Sequence, residues 1–258
     1  MVKNFILAAI VGLGIAGLVF VSQNNANLLK KENKTAEKGT LNGNNLISNQ
    51  PFVEKLTSNL TNKEENLTNL FASSLGKIII ENNPDGPANI DGKNGLVVPD
   101  PESIAIELLA EAAKKFDPSK LRPTIQEKDL KILEDNSKEA LSNYVLNFQN
   151  IIKGEAPKVP KAIFGDPDNL TLEDISRLSL VYQEIVQKFY KLPVPKSALE
   201  IHKKEIELSG TKRNIFEKIK NYQTDPIATI LATQELKKVD QEFAELDKKL
   251  SEFINNKL

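Results

Sequence analysis

The side chains able to do chemistry are few, and the first of them is the single histidine, His202, in a chain without cysteine. A histidine-based metal site needs more than one imidazole or an imidazole with thiolates, and thiolate catalysis needs a cysteine, so neither is expected. His202 also falls on a helical seam with Leu199, Ile206 and Ser209. That spacing predicts a structural histidine in or beside a core rather than a base in a cleft. The oxygen-rich stretch 82–100, NNPDGPANIDGKNGLVVPD, raises calcium binding. Asp85, Asn89 and Asp91 do not fall on the alternate positions of an EF-hand loop and no bidentate Glu follows at the twelfth, so turn chemistry is the better reading. No catalytic, cofactor-binding or metal-binding residue is expected, and no cofactor.

Three further motifs fail for want of context. Gly12, Gly14 and Gly17 match G-x-G-x-x-G, but the LVFVSQNNANLL that follows supplies neither the amphipathic helix nor the second strand with its acidic end that a dinucleotide site requires. Ser74 and Lys77 match the S-x-x-K of penicillin-recognising enzymes without the accompanying S-D-N or K-T-G. Glu102-Ser103 resembles the Glu-Ser that supplies the lone acid of lytic transglycosylases. The other motifs of that family are missing, and an acid after Pro101 is routine in the first turn of a helix.

The element that must position everything else is the uncharged run Phe5 to Val21, FILAAIVGLGIAGLVFV, behind a four-residue tail carrying Lys3. As a helix it spans roughly 25 Å, near the lower limit for a hydrocarbon core of about 30 Å. Its eleven Phe, Ile, Leu and Val residues favour insertion by roughly 3 to 7 kcal/mol. It is longer than a secretory h-region and lacks a good small-x-small cleavage site, which predicts an uncleaved signal anchor. The lysines at 3 and at 30, 31 and 34 flank both sides, so charge alone does not orient it. The short tail and the polar segment beyond predict the amino terminus inside and the carboxy-terminal bulk outside the cytoplasmic membrane. Ala8, Gly12 and Ala16 recur every four residues and form a narrow face on which anchors would pair into a homo-oligomer.

Residues 22–50 are polar and rich in Asn, Lys, Thr and Gly, a tether that as a flexible coil spans roughly 30 Å. Glycosylation sequons at Asn33, Asn59, Asn66 and Asn169 are the chance product of an Asn-rich chain. The rest is 51–192, a helical ectodomain part, and 193–258, a helical hairpin. With 40% apolar residues, almost no strand signal and a formal net charge of −1, the expectation is an all-α protein that does not bind nucleic acid.

Periodicity and caps predict the helices. Leu67, Leu70, Phe71, Ser74, Leu75 and Ile78 share a face of a helix from about Asn62 to Glu81. Asp-Pro pairs at 100–101, 117–118 and 225–226 open a helix from Pro101 to Phe116, a short turn and the last helix. Thr124 with Glu127 reads as a capping box for a long helix to Lys153, with Leu130, Leu133, Leu141, Tyr144, Phe148 and Ile151 on one face and Gly154 beyond its end. Thr171 with Asp174 caps a helix to Leu192 whose face is Leu172, Ile175, Leu178, Tyr182, Ile185 and Phe189. Pro193 and Pro195 then precede an antiparallel hairpin turning at Thr224-Asp225-Pro226. Its final arm carries a coiled-coil-like seam of Ala232, Leu236, Val239, Phe243, Leu246, Leu250 and Phe253, with mixed charge outside.

The stretches DPSKLRPTIQEKDLKILEDNSKEALSNYVLNFQNII and LPVPKSALEIHKKEI, followed by the Asp-Pro-initiated last helix, resemble a family of single-pass, membrane-anchored helical envelope proteins of small-genome candidate-phylum bacteria. The resemblance implies an anchored helical ectodomain. It carries no known activity, so no catalytic residue transfers. The function these readings point to is protein–protein interaction, as a scaffold or cell-envelope assembly component and not an enzyme. The alternatives are a tethered cell-wall hydrolase using a single carboxylate and an exported helical ligand-binding domain.

Overall fold

The computed structural model describes residues 65–90, 93–160 and 170–258, which are mostly helical with little sheet. The expected anchor Phe5 to Val21, the Ala8, Gly12 and Ala16 face, the tether, Asp91 and the sequons at Asn33, Asn59 and Asn169 lie outside them. Among the described residues no helix is long and apolar enough to cross a membrane.

The first helix, α1, is Leu67–Glu81. It starts later than periodicity predicts because Asn66, in extended backbone, is the N-cap: its side chain accepts from the Asn69 amide at 2.9 Å. The predicted face is the inward one, with Leu67 buried and Leu70, Phe71, Ser74, Leu75 and Ile78 half-buried. The loop beyond contains an antiparallel strand pair, β1 (Ala88–Ile90) and β2 (Lys93–Gly95). Helix α2, Pro101–Lys115, begins at the Asp100 N-cap as the Asp-Pro pair predicts, and returns along α1 through Ile104, Leu108 and Ala112. Together α1 and α2 form an arm. Its base is a small cluster of Leu67, Ala112, Ala228 and Leu231.

The predicted helix from Thr124 does not form. Asp117-Pro118 opens a 3-10 turn, Pro118–Leu121, and a second turn, Glu127–Asp129, has no side-chain cap. The chain then runs as a short strand, β3 (Ile132–Leu133), parallel to β4 (Val194–Pro195), with the Val194 amide donating to the Lys131 carbonyl at 2.8 Å. Helix α3, Lys138–Glu155, starts only at the Ser137 N-cap and runs through Gly154 instead of stopping before it. Leu133 is therefore an exposed strand residue, whereas Leu141, Tyr144 and Phe148 occupy the core as predicted.

Helix α4, Leu172–Lys191, carries the predicted capping box, with Thr171 and Asp174 each accepting from the other's backbone amide. Ile175, Leu178, Tyr182, Ile185 and Phe189 are buried, but Leu172, in the first turn, is exposed. The predicted hairpin is α5 (Leu199–Lys220) and α6 (Pro226–Lys257). All predicted seam residues of α6 from Ala232 to Leu250 are buried; Phe253 is half-buried and Ile254 closes the seam in its place. One apolar cluster runs from Leu121 to Ile254, continuous across residues 192 and 193.

Helix α5 is the axis of this cluster. It packs on α4 along one side, on α6 along another, and on the 118–123 segment along a third. Every residue from Leu208 to Phe216 is consequently buried, including Thr211, Lys212, Arg213 and Asn214. Gly210 admits the third contact, since a Cβ there would stand 2.6 Å from Pro123 Cγ. The Asn214 amide holds the same segment by donating to the Leu121 carbonyl at 2.9 Å.

Candidate functional site

Spacing of four and then three on α5 aligns Glu205, Ser209 and Lys212, and spacing of three and then four on α6 aligns Asp240, Phe243 and Asp247. The two stripes face each other inside the bundle. Lys212, only 1% exposed, places Nζ 2.6 Å from Asp240 Oδ1 and donates to Tyr182 Oη at 3.3 Å. The ammonium also stands 4.8 Å from the Phe243 ring centroid and 5.4 Å from that of Tyr182. Burial disfavours its charge, but Tyr182 and Asp240 outweigh that, and the ammonium's pKa is raised.

Glu205 is 3% exposed, and among the described residues its hydrogen-bond partner is Ser209, whose Oγ donates to its Oε1 at 3.3 Å. Burial, and then the charge of Asp247, push its carboxyl up to about 8, against the smaller pull of Ser209 and Lys212. Burial pushes Asp247 up to about 7, with Lys212 opposing. Lys212 is paired with Asp240, and burial disfavours the charge of the other two carboxyls of the seam.

The polar column continues through His202. Nδ1 lies 3.3 Å from Tyr144 Oη, and the ring packs against Tyr144 and Phe189 with centroids 5.8 and 5.6 Å away. Burial pulls the imidazole down to about 4 even though the Phe189 carbonyl opposes it, and Nε2 has no partner of good hydrogen-bond geometry. His202 is a neutral core side chain. Two further charge clusters tie elements together. Arg122 bridges Glu207 on α5, at 2.7 Å, to Glu242 on α6, which Lys204 also reaches at 2.7 Å; Arg122 holds the Glu242 carboxyl down to about 2. Glu155 at the end of α3 is buried and pairs with Lys158 and with Lys188 of α4, which lower its pKa against the cost of burial.

The motif residues are not brought together. Glu102 is exposed in the first turn of α2, and Ser103 Oγ donates to the Asp100 cap. Ser74 is half-buried and Lys77 exposed on α1, and Asp85 is exposed in the loop. Among the described residues no group of three or more metal-ligating side chains is arranged to hold an ion. Periodicity alone misses Glu205, Lys212, Asp240 and Asp247. The available signal was that Glu205, Ser209, Lys212 and Phe216 step by fours and threes, which carries two charged residues along a face that ends in an aromatic.

A second feature lies on the surface. The arm leaves apolar side chains bare at its outer end: Ile80 is 70% exposed and Ile106 64%, with Leu96, Val97 and Val98 each more than 40% exposed. Asn83 fixes that end by accepting from the Val97 amide at 2.7 Å and donating to the Val97 carbonyl at 2.8 Å. Compared with known proteins, the chain matches no family model, no curated protein and no solved structure.

Proposed function

We propose that the chain is a membrane-anchored, extracytoplasmic helical protein that works by binding another envelope protein, as a scaffold or assembly component. The observation that carries this reading is the outer end of the α1–α2 arm. Large apolar side chains left exposed along the outer end of the arm favour association with an apolar groove, because burying them there removes surface that water would otherwise contact. The Phe5 to Val21 run supports the anchor, and the orientation rests on the short tail before it together with the polar segment beyond.

The test uses the absence of cysteine. A Ser73→Cys reporter on exposed α1 is expected to react with a membrane-impermeant maleimide in intact cells, after permeabilisation of any outer membrane. Labelling only after the inner membrane is broken overturns the topology. Partner binding is read by site-specific photocrosslinking from position 97 in membranes. The Ile80→Asp, Ile106→Asp double variant is expected to abolish the crosslinked species while the fold persists, and an unchanged crosslink overturns the arm as the contact.

One observation favours the hydrolase alternative. Asp247 is half-buried rather than sealed, and its carboxyl is pushed up to about 7, the condition of a general acid at neutral pH. Release of soluble fragments from purified cell wall by the full chain, lost in Asp247→Asn, would replace the scaffold reading.

A further inference from the structure

Asn83 donates to the Ile79 carbonyl at 2.7 Å and to the Val97 carbonyl at 2.8 Å, which sets the run 96–98 beside the last turn of α1. Ile80, Leu96, Val97 and Val98 are exposed there. The exposed charges next to them in the chain are Glu81, Asp85, Asp100 and Glu102, against Lys77 among the described side chains. The outer end of the arm is therefore apolar with an acidic surround. Between the end of α3 and the first half of α4 lies an open groove of about 560 Å³, with Pro157, Val159 and Leu180 in its lining and Lys158 and Arg177 against Glu184 among its charges. Leu180 stands 58% exposed in it. Lys158 is tied to Glu155 and Glu184, whereas the ion pair of Arg177 with Glu173 is long, 3.6 Å, and exposed, too weak to commit the guanidinium. Two acidic arm ends repel each other, and the same sign disfavours an anionic lipid surface, while the groove offers apolar side chains with a guanidinium beside them. We propose that the outer end of one copy's arm docks in the α3–α4 groove of a second copy, Val97 and its neighbours covering Leu180 and an arm carboxylate meeting Arg177. This rests on the reading that the arm's outer end is the contact, and it makes the chain itself the protein that is met. The contact joins two different surfaces, so it propagates from copy to copy unless it closes on itself.

The experiment mixes two differently tagged full chains in detergent micelles under mild oxidation, one carrying Val97→Cys and the other Leu180→Cys, each the only thiol of its chain. A disulfide carrying both tags is expected in about tenfold higher yield than the 97–97 product, and than the product of Val97→Cys with the exposed α6 control Gln241→Cys. Arg177→Glu in the groove chain should lower that yield about tenfold, and Glu81→Lys with Glu102→Lys in the arm chain should restore it. Arg177→Cys replaces Leu180→Cys should the latter not fold. A mixed product no more abundant than the control, a predominant 97–97 product, or a yield indifferent to the charge exchange overturns the docking. If photocrosslinking from position 97 in membranes captures a different protein while the 97–180 disulfide fails, the second copy is overturned and the arm remains the contact; if neither forms, both readings fall.

Discussion

Thr68 and Asp225, 157 positions apart, cap each other's helices. Thr68 Oγ1 donates to Asp225 Oδ1 at 2.8 Å and accepts from the Ile227 amide at 3.1 Å. The Asp225 carboxylate in turn accepts from the amides of Leu67, Thr68 and Ala228 at 2.9, 3.1 and 3.1 Å. One carboxylate therefore satisfies the orphan amides of both α1 and α6, where both helix dipoles favour a negative charge. The arm that carries the exposed apolar end hangs on this junction and on the four-residue cluster beside it.

Asp225→Ala is expected to cost about 2 to 4 kcal/mol, more than a single cap, because two helix ends lose their acceptor. Hydrogen exchange is the discriminating measurement. Protection should fall in α1 and α2 well before α4 and α5. Uniform loss across the bundle would mean that the arm does not open separately.

Phe243 is buried at the centre of the seam under the Lys212 ammonium. Phe243→Ala should cost roughly 3 to 5 kcal/mol in urea titration. A loss below about 1 kcal/mol would mean that the α5–α6 interface is not packed as described.

Stability should fall as pH rises through neutrality. Glu205 and Asp247 have folded pKa values raised above their unfolded ones, so between roughly pH 4.5 and 8 the native state binds more protons than the unfolded chain. Their contribution is complete below that window and lost across it. For Glu205 alone it is on the order of 5 kcal/mol. His202 acts in the opposite sense: its lowered pKa gives stability present above about 6.5 and lost as pH falls toward 4, which offsets part of the carboxyl slope on the acid side. Glu205→Gln is therefore expected to flatten the chemical-denaturation profile between pH 6.5 and 8. A variant whose slope equals that of the parent would remove Glu205 from the explanation.

Gly210→Ala should destabilise by about 1 to 3 kcal/mol, since the added methyl meets the Pro123 ring. Pro123→Ala in the same chain removes the ring carbon that clashes. The double variant should recover part of the loss, a coupling that a double-mutant cycle measures directly. Purely additive losses would place the cause elsewhere.

His202→Leu should leave crosslinking from position 97 intact once protein abundance is equalised, because the imidazole packs among Tyr144 and Phe189 and is remote from the arm. Lost crosslinking with an unchanged fold would make His202 a functional side chain.

The elements that the sequence alone determined are those whose signals are complete within about one or two turns. Asp-Pro at 100, the Thr171 and Asp174 box, and the stepping of Leu236, Val239, Phe243 and Leu246 each satisfy local amides or one helix face without distant help, and Asp-Pro at 225 marks its helix start locally although Thr68 completes the cap. Thr124 and Glu127 offer a cap of the same kind, yet distant groups win there. The Val194 amide takes the Lys131 carbonyl, the Ser197 amide donates to Asn136 at 2.8 Å, and Leu130 is drawn into the core, so the helix waits until Ser137. The polar stripe of α5 was likewise undecidable locally. ELSGTKRN reads as a solvated surface until α4, α6 and the Pro123 segment cover its sides at once, and only that enclosure puts Lys212 into a buried ion pair with Asp240 and makes the charge of Glu205 costly.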